Sequence, residues 1–405
     1  MNRLTVLALS GMTTVTLLPS VVLPSAYAAD ILTEALTGGK AVIQIRPRLE
    51  LVEQDTPTAD SATSLTVRSV LGYETAPIQG IKAYVEFEDI RAIIDNYSVP
   101  VIQPNAKYAV VVDPELTQVN QAFLSGYGVK LGRQKIVIDN ARFIGDVVWR
   151  QNDQVFDAIS YQSKTLAPWL DLYTAYATQV AMINGQSGDI RLPIVHAKIK
   201  TPVGATVGLM WAGLEGREAL GQVALQQNVQ TDRSRQHALL QVDGKAEKVL
   251  YNLAYAQQQK YADGVAAQVP DADYYSVTLG YDFGKAKLSV QQESLESGFA
   301  TPLATLHAFN GWADKFLATP AAGLVDTNIK LTGAYAGFNL AAALHRFESD
   351  VGSTHYGDEL NLSAARRVNP KTMGLLKLAH YQAKDGAGAL GVDQTKLWLQ
   401  VDYKF

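Results

Sequence analysis

The amino-acid sequence predicts an all-β fold, a single transmembrane antiparallel β-barrel of about 18 strands (16–18), and three observations predict it. First, apolar and polar residues alternate with a period of two along nearly the whole chain, the pattern of strands that show an apolar face and a polar face. Second, the first 28 residues read as an export signal, with 29–405 as the barrel. Arg3 gives a positive start, an apolar run extends from Leu4 to about Val22, and Ala26-Tyr27-Ala28 offers small residues where a signal peptidase reads. A membrane anchor is the other reading of this run, but Ser, Thr, Gly and Pro dilute it. Third, the chain stops on Phe405 in mid-pattern, with Val401, Tyr403 and Phe405 outward on a closing strand. Such an end is expected to seal the barrel and to be recognised by the barrel assembly machinery during biogenesis.

The strands follow in order. Over 41–53, Ile43, Ile45, Leu49 and Leu51 oppose Gln44, Arg46, Arg48 and Glu50. Over 64–75, Leu65, Val67, Leu71 and Tyr73 oppose Thr66, Arg68 and Glu74. After the turn signal Pro77-Ile78-Gln79-Gly80, strand 80–90 sets Ile81, Ala83, Val85 and Phe87 against Lys82, Tyr84, Glu86 and Glu88. A long loop near 91–117 leads to 118–126 and 128–136, then to 153–161, 169–181 and 193–201. In the last of these, Val195, Ala197 and Ile199 oppose His196, Lys198 and Lys200. Pro202-Val203-Gly204 turns the chain into 203–212, and a loop near 213–234 precedes 235–243. Asp243-Gly244 reads as the next turn, and 247–259 then opposes Val249, Tyr251, Leu253 and Tyr255 to Lys248, Asn252 and Gln258. Strands 272–283 and 286–294 flank Phe283-Gly284-Lys285, and a long loop near 294–326 follows. The remaining strands are 327–335, 336–348, 357–366, 370–383 (after Asn369-Pro370) and 394–405 (after Asp385-Gly386). Short turns on one rim and long loops on the other are the outer-membrane arrangement, with both chain ends on the turn side when the strand count is even.

A soluble sandwich also alternates. Two features favour a water-filled barrel in a bilayer. Charges such as Arg46, Arg68, Glu86 and Lys198 stand in mid-strand, where a wide lumen would keep them hydrated. Of 19 tyrosines, Tyr73, Tyr127, Tyr173, Tyr274, Tyr275, Tyr281 and Tyr403 stand near strand ends, as an interfacial girdle would have them; each alone is an ordinary strand former. The chain carries 35 basic and 39 acidic residues, so nothing in its balance selects nucleic acid as a partner. Without cysteine it has neither disulfides nor thiolate metal sites.

Between 130 and 150 the polar character sharpens. Lys130, Arg133, Lys135, Arg142 and Arg150 face only Asp139 and Asp146, and Asp139-Asn140 breaks the strand. The segment reads as a loop folded into the lumen, where it would narrow the pore and set its field. Its arginines serve either solute carboxylates or an internal network, with Arg142 and Arg150 paired to Asp139 and Asp146; one arginine can do both. Candidate pore-lining residues are Arg46, Arg48, Arg68, Lys82, Glu86, Glu88, Arg133, Arg142, Arg150 and Asp139. Arg133 is inward only if a bulge at Gly132 breaks its alternation with Leu131.

The stretch 108–158, YAVVVDPELTQVNQAFLSGYGVKLGRQKIVIDNARFIGDVVWRQNDQVFDA, resembles the outer-membrane porins grouped under the alginate export domain. The resemblance rests on Asp113-Pro114-Glu115, Asn120-Gln121, Leu131-Gly132-Arg133-Gln134, Asp139-Asn140, Arg142-Phe143, Gly145, Trp149-Arg150-Gln151-Asn152 and Asp157, and extends clearly over about 71–160. It implies an outer-membrane channel, in the founding member a conduit for anionic alginate. A dedicated polyanion exporter calls for a strongly cationic lumen, whereas Glu50, Glu86 and Glu88 share the inward faces here. The cargo is therefore expected among small or anionic solutes, uronates and other acidic saccharides included, with outer-membrane lipid as the surrounding partner.

Neither catalysis, nor a cofactor, nor a bound metal is expected. His196, His237, His307, His345, His355 and His380 are scattered, and neither an HExxH nor a GxSxG motif occurs. The lone carboxylates Asp271 and Asp273 are a weak calcium signal. A barrel enzyme of the phospholipase or protease kind, or a structural or adhesive barrel, is the alternative.

Overall fold

Strands that show water one face and oil the other, joined by short turns, pair antiparallel until the last meets the first and no edge is left. The computed structural model describes residues 25–56, 59–100, 102–217 and 231–405. A helix α1 (Ser25–Thr37) precedes β1 (Lys40–Gln54), β2 (Ala62–Glu74), β3 (Lys82–Asn96), β4 (Leu116–Gly126), β5 (Val129–Gln134), β6 (Val155–Ala167), β7 (Leu170–Ala181), β8 (Ser187–Lys200) and β9 (Thr206–Gly216). The second half comprises β10 (Arg235–Ala246), β11 (Val249–Lys260), β12 (Ala272–Asp282), β13 (Ala286–Leu295), β14 (Leu324–Tyr335), β15 (Phe338–Glu348), β16 (His355–Asn369), β17 (Thr372–Ala383) and β18 (Gln394–Lys404). Each strand pairs with its neighbours in chain order, and β18 returns to β1, so the 18-stranded antiparallel sheet is a closed barrel. The expected leader lies largely outside the described residues, and its cleavage point falls in the first turns of α1.

Closure uses the end of the chain. Tyr403 stands opposite Ile45 and Leu399 opposite Leu49, and Phe405 exchanges both backbone hydrogen bonds with Ile43 (2.8 and 3.2 Å). Leu399, Val401, Tyr403 and Phe405 are exposed on the outer face of the barrel, while Lys396, Trp398, Gln400 and Asp402 are buried inside. The expected division of this strand is the observed one. The turn between β10 and β11 is a correction: Asp243-Gly244 continues β10, and the chain reverses after Ala246. Gly244 packs against the Tyr251 ring, a contact that removes its value as a turn marker.

Tyr127, Tyr281, Tyr275 and Tyr403 are exposed on the outer face, as are Tyr335 and Trp169 at the turn rim, whereas Tyr173 faces inward and packs against the apolar cluster. Tyr274 is a correction. It faces inward, is buried, and donates its hydroxyl to Glu293 (2.7 Å).

The interior has two unlike walls. Along β8, β9 and β10 the inward residues include Ile190, Leu192, Ile194, Met210 and Leu239, all buried in one apolar cluster with Phe143, Phe299 and Leu303 from the loops. Along β1 to β3 and β13 to β18 the inward residues include Arg46, Arg48, Glu50, Arg68, Glu88, Glu293, Asp326, Glu359 and Lys377. These charges are not hydrated as their mid-strand positions suggested: Arg48 is 1% exposed, and Glu50 and Glu88 are 0% exposed. The reason is that two loops fill the lumen beside them.

Candidate functional site

A polar segment entering a barrel must satisfy its own backbone there, and the wall residues show how. The 135–154 loop, from the end of β5 to β6, crosses the lumen and meets the 296–323 loop between β13 and β14. Gly145 donates its N–H to the Leu303 carbonyl (2.9 Å), and Thr305 donates to the Ala141 carbonyl (2.9 Å). A Cβ on Gly145 would stand 2.2 Å from Thr305 Oγ1, so only glycine permits this approach. Val147, at φ 52°, has its N–H held by Thr305 Oγ1 (3.1 Å). The loops form one cross-piece, apolar toward β8–β10 and charged toward β1–β3 and β17–β18.

The charged side is fastened residue by residue. Arg46 donates to Asp402 (2.7 Å) and to the Val148 and Arg150 carbonyls (3.2 and 3.4 Å). Arg48 donates to Gln400 (2.8 Å) and to the Trp149 carbonyl, with its guanidinium 4.3 Å from the Trp149 ring centre. Arg68 bridges Glu88 and the loop's Asp153 (2.5 Å). From the loop outward, Arg150 reaches Glu50 (3.2 Å) and Asp314 (2.8 Å), and Arg142 reaches Glu293 (2.8 Å), Thr301 (3.0 Å) and Asn310 (3.3 Å). Glu86 accepts from Asn120 (2.8 Å) and Gln121 (3.2 Å). Bidentate or forked arginine contacts of this kind hold backbone as well as charge.

Several expected partners differ. Asp139 pairs with His196 (2.9 Å) and Lys198 (2.7 Å), and Asp146 stands 4.0 Å from Lys135; neither meets Arg142 or Arg150. The internal network exists, but it links the loop to remote strands, which spacing within 130–150 could not reveal. Lys82 pairs with Glu74 (2.8 Å) at the partly exposed turn rim, away from the cross-piece. Arg133 is a correction to the pore-lining set. It stays on the same face as Leu131, which is 54% exposed, and binds Asp157 (2.8 Å) and Gln179 (3.1 Å) on the outward side. Gly132 adopts φ 126°, yet the pairing with β4 and β6 continues without a slip.

The second loop contributes residues not singled out by the sequence. His307 stacks on Trp149 (ring centres 4.4 Å apart), and its Nδ1 meets Asp314 (2.6 Å) while Nε2 meets Lys377 Nζ (2.6 Å). Burial pushes the His307 imidazole well below its ordinary value, so the neutral ring donates to Asp314 and accepts from Lys377. Lys377 lies 4.0 and 3.8 Å from the Trp149 and Trp312 ring centres. Lys396 adds a second cation to Asp314 (2.8 Å). The available signal was the run LHAFNGWADKF, whose density of aromatic and charged residues is unusual for a solvent loop.

Burial alone would raise the Asp314 carboxyl, but His307, Lys396 and Arg150 hold it well below the usual carboxylate range. A carboxyl depressed by folding contributes stability that is complete above its unfolded pKa, about 4, and is lost as pH falls through the lower folded value. The Asp314 contacts should therefore stay intact from neutral pH down to about pH 4 and weaken only in stronger acid. Single-channel recordings of the unaltered protein beside Asp314→Asn provide the check: a difference between the two that is already gone at about pH 6 would remove Asp314 as a fastening group.

Two chambers flank the cross-piece. The turn-side chamber, about 690 Å³, is lined by Lys130, Lys135, Lys164 and Lys198 against Asp139 and Asp171. The loop-side chamber, about 160 Å³, is lined by Arg142, Arg233 and Arg235 among Phe299, Phe316 and Leu306, and its lining includes no carboxylate among the described residues. Arg235 donates to Gln258 (3.0 Å), and Arg233 has no ion pair among the described residues. No group of histidines and carboxylates suited to a metal ion occurs among the described residues.

The fold is shared with solved structures. Acinetobacter baumannii OccAB4 is similar at 10% identity with a TM-score of 0.66, over 91% of this chain and 98% of that one. Pseudomonas aeruginosa OccK9 (OpdG) is similar at 11% identity with a TM-score of 0.66, over 92% and 100%. Pseudomonas aeruginosa OpdL is similar at 12% identity with a TM-score of 0.65, over 91% and 99%. No family model and no curated protein matches the chain, so the alginate-export resemblance rests on the residues of 71–160 alone.

Proposed function

We propose that the chain is an outer-membrane porin that passes small or anionic solutes along a route pinched by the two joined loops. The observation that carries this reading is the set of cations without a carboxylate partner among the described residues: Lys130 and Lys164 below the cross-piece, where Lys135 and Lys198 are held by Asp153 and Asp139, and Arg233 and Arg235 above it, where Arg142 is held by Glu293. A low-dielectric wall focuses such a field and raises the local concentration of anions. The shared barrel of the OccAB4, OccK9 and OpdL structures supports the outer-membrane assignment.

In this reading Arg46, Arg48, Arg68 and Arg150 hold the cross-piece, and solute contact falls on Lys130, Lys135, Lys164, Lys198, Arg142, Arg233 and Arg235. Uronates and other acidic saccharides suit these chambers, which agrees with the resemblance of 108–158 to the alginate export domain. The outward residues Val401, Tyr403 and Phe405 would present the closing strand to the barrel assembly machinery.

Planar-bilayer recording tests the proposal. Reconstituted protein should conduct with a reversal potential displaced toward anions, and uronate oligomers should permeate faster than neutral sugars of equal size. A barrel that carries no current, or that admits both sugars equally, would falsify it.

A further inference from the structure

The lipid-facing surface of β14 to β18 is not smooth. It carries a groove of about 740 Å³ lined by Leu331, Leu340, Leu362, Leu376 and Leu397, with Ala342 and Ala364 offering only methyl groups between them. Small side chains among leucines on an outward face leave a hollow with apolar walls, which hydrocarbon fills more favourably than water. Two cations flank its turn-side end. Lys285, in the β12–β13 turn, lines the groove itself, and Arg366 follows Ala364 and Leu362 on the outward face of β16. The Arg366 guanidinium stands 5.1 Å from the Phe338 ring centre, and its register partner Gly374 leaves open space where a side chain would stand. Neither cation has a carboxylate partner among the described residues. Tyr335, 76% exposed, marks the same level as interfacial.

We propose that this groove seats an acyl chain of an anionic phospholipid from the turn-side leaflet, with its headgroup phosphate held at Lys285 and Arg366. Apolar walls and uncompensated cations meet at the depth where a phospholipid changes from tail to headgroup. A two-fold-related second barrel on this face would oppose matching cations, which disfavours it as the occupant.

Native mass spectrometry of the detergent-purified full chain tests this with phosphatidylglycerol or phosphatidylcholine added. One phosphatidylglycerol should be retained in preference to phosphatidylcholine. Lys285→Gln and Arg366→Gln should each weaken retention roughly fivefold. Ala364→Phe, which fills the groove and leaves the charges, should abolish it. Heat-modifiable migration on gels verifies that each variant is a folded barrel, and the lipid preference of the unaltered protein needs no variant at all. Equal retention of both lipids, retention unchanged by the substitutions, or a protein dimer in place of bound lipid would each overturn the proposal.

Discussion

Replacing Arg150 with alanine should raise the single-channel conductance and lower the unfolding temperature together. Arg150 is 4% exposed and joins Glu50 of β1 to Asp314 of the second loop, so it fastens both loops to the wall at once. Its loss would leave Glu50 buried without its cation, while Asp314 keeps Lys396 and His307; breaking a buried pair from one side costs about 3–5 kcal/mol. The cheapest relief is water, admitted by withdrawal of the cross-piece from β1. By contrast, Lys82→Ala at the half-exposed rim removes only a pair with Glu74 and should cost no more than about 1 kcal/mol. Conductance and denaturation midpoints should be read on the same preparations. Lower stability with unaltered conductance would mean that Arg46, Arg48 and the apolar side hold the loops without Arg150.

The barrel was legible because alternation is a local property of each strand. Ile43 to Leu51, Ile81 to Phe87 and Leu397 to Phe405 declare their outward faces, and a closed ring follows once such strands are joined by turns. The inner wall was less legible. Ile190, Leu192 and Ile194 point inward against a loop that lies some fifty positions away in sequence, so their apolar character misleads a reader who expects water there. The constriction was half visible. The 130–150 segment announced itself by arginines and a broken strand, but Glu293, Asn310 and Asp314 enter the site from more than 140 positions onward. Arg133 is the opposite case: its charge suggested the lumen, whereas plain alternation with Leu131 already set it outside, and the unbroken register agrees. Pairing across a lumen is a global property, and period-two reasoning contains no information about it.

Neutralising Arg233 and Arg235 together, as Arg233→Gln and Arg235→Gln, should reduce the preference for anions over cations on the order of tenfold at low salt. These arginines line the loop-side chamber beside Arg142, whose own charge is already engaged by Glu293 at 2.8 Å. Arg233 and Arg235, which have no carboxylate partner among the described residues, therefore dominate the field an approaching solute meets. Glutamine at 235 retains a donor within the environment of Gln258, so the wall keeps its hydrogen bonding while the charge is lost. Long-range attraction of an approaching anion is screened by salt, so the effect should shrink as salt rises and the Debye length falls to about 8 Å at physiological ionic strength. Lys285→Gln, outside the barrel on the lipid face, is the matched control and should leave ion selectivity alone. If the double substitution leaves the reversal potential unchanged at low salt, selection takes place below the cross-piece, at Lys130, Lys135, Lys164 and Lys198. The same measurement on Lys130→Gln with Lys198→Gln would then show the shift that the upper arginines did not.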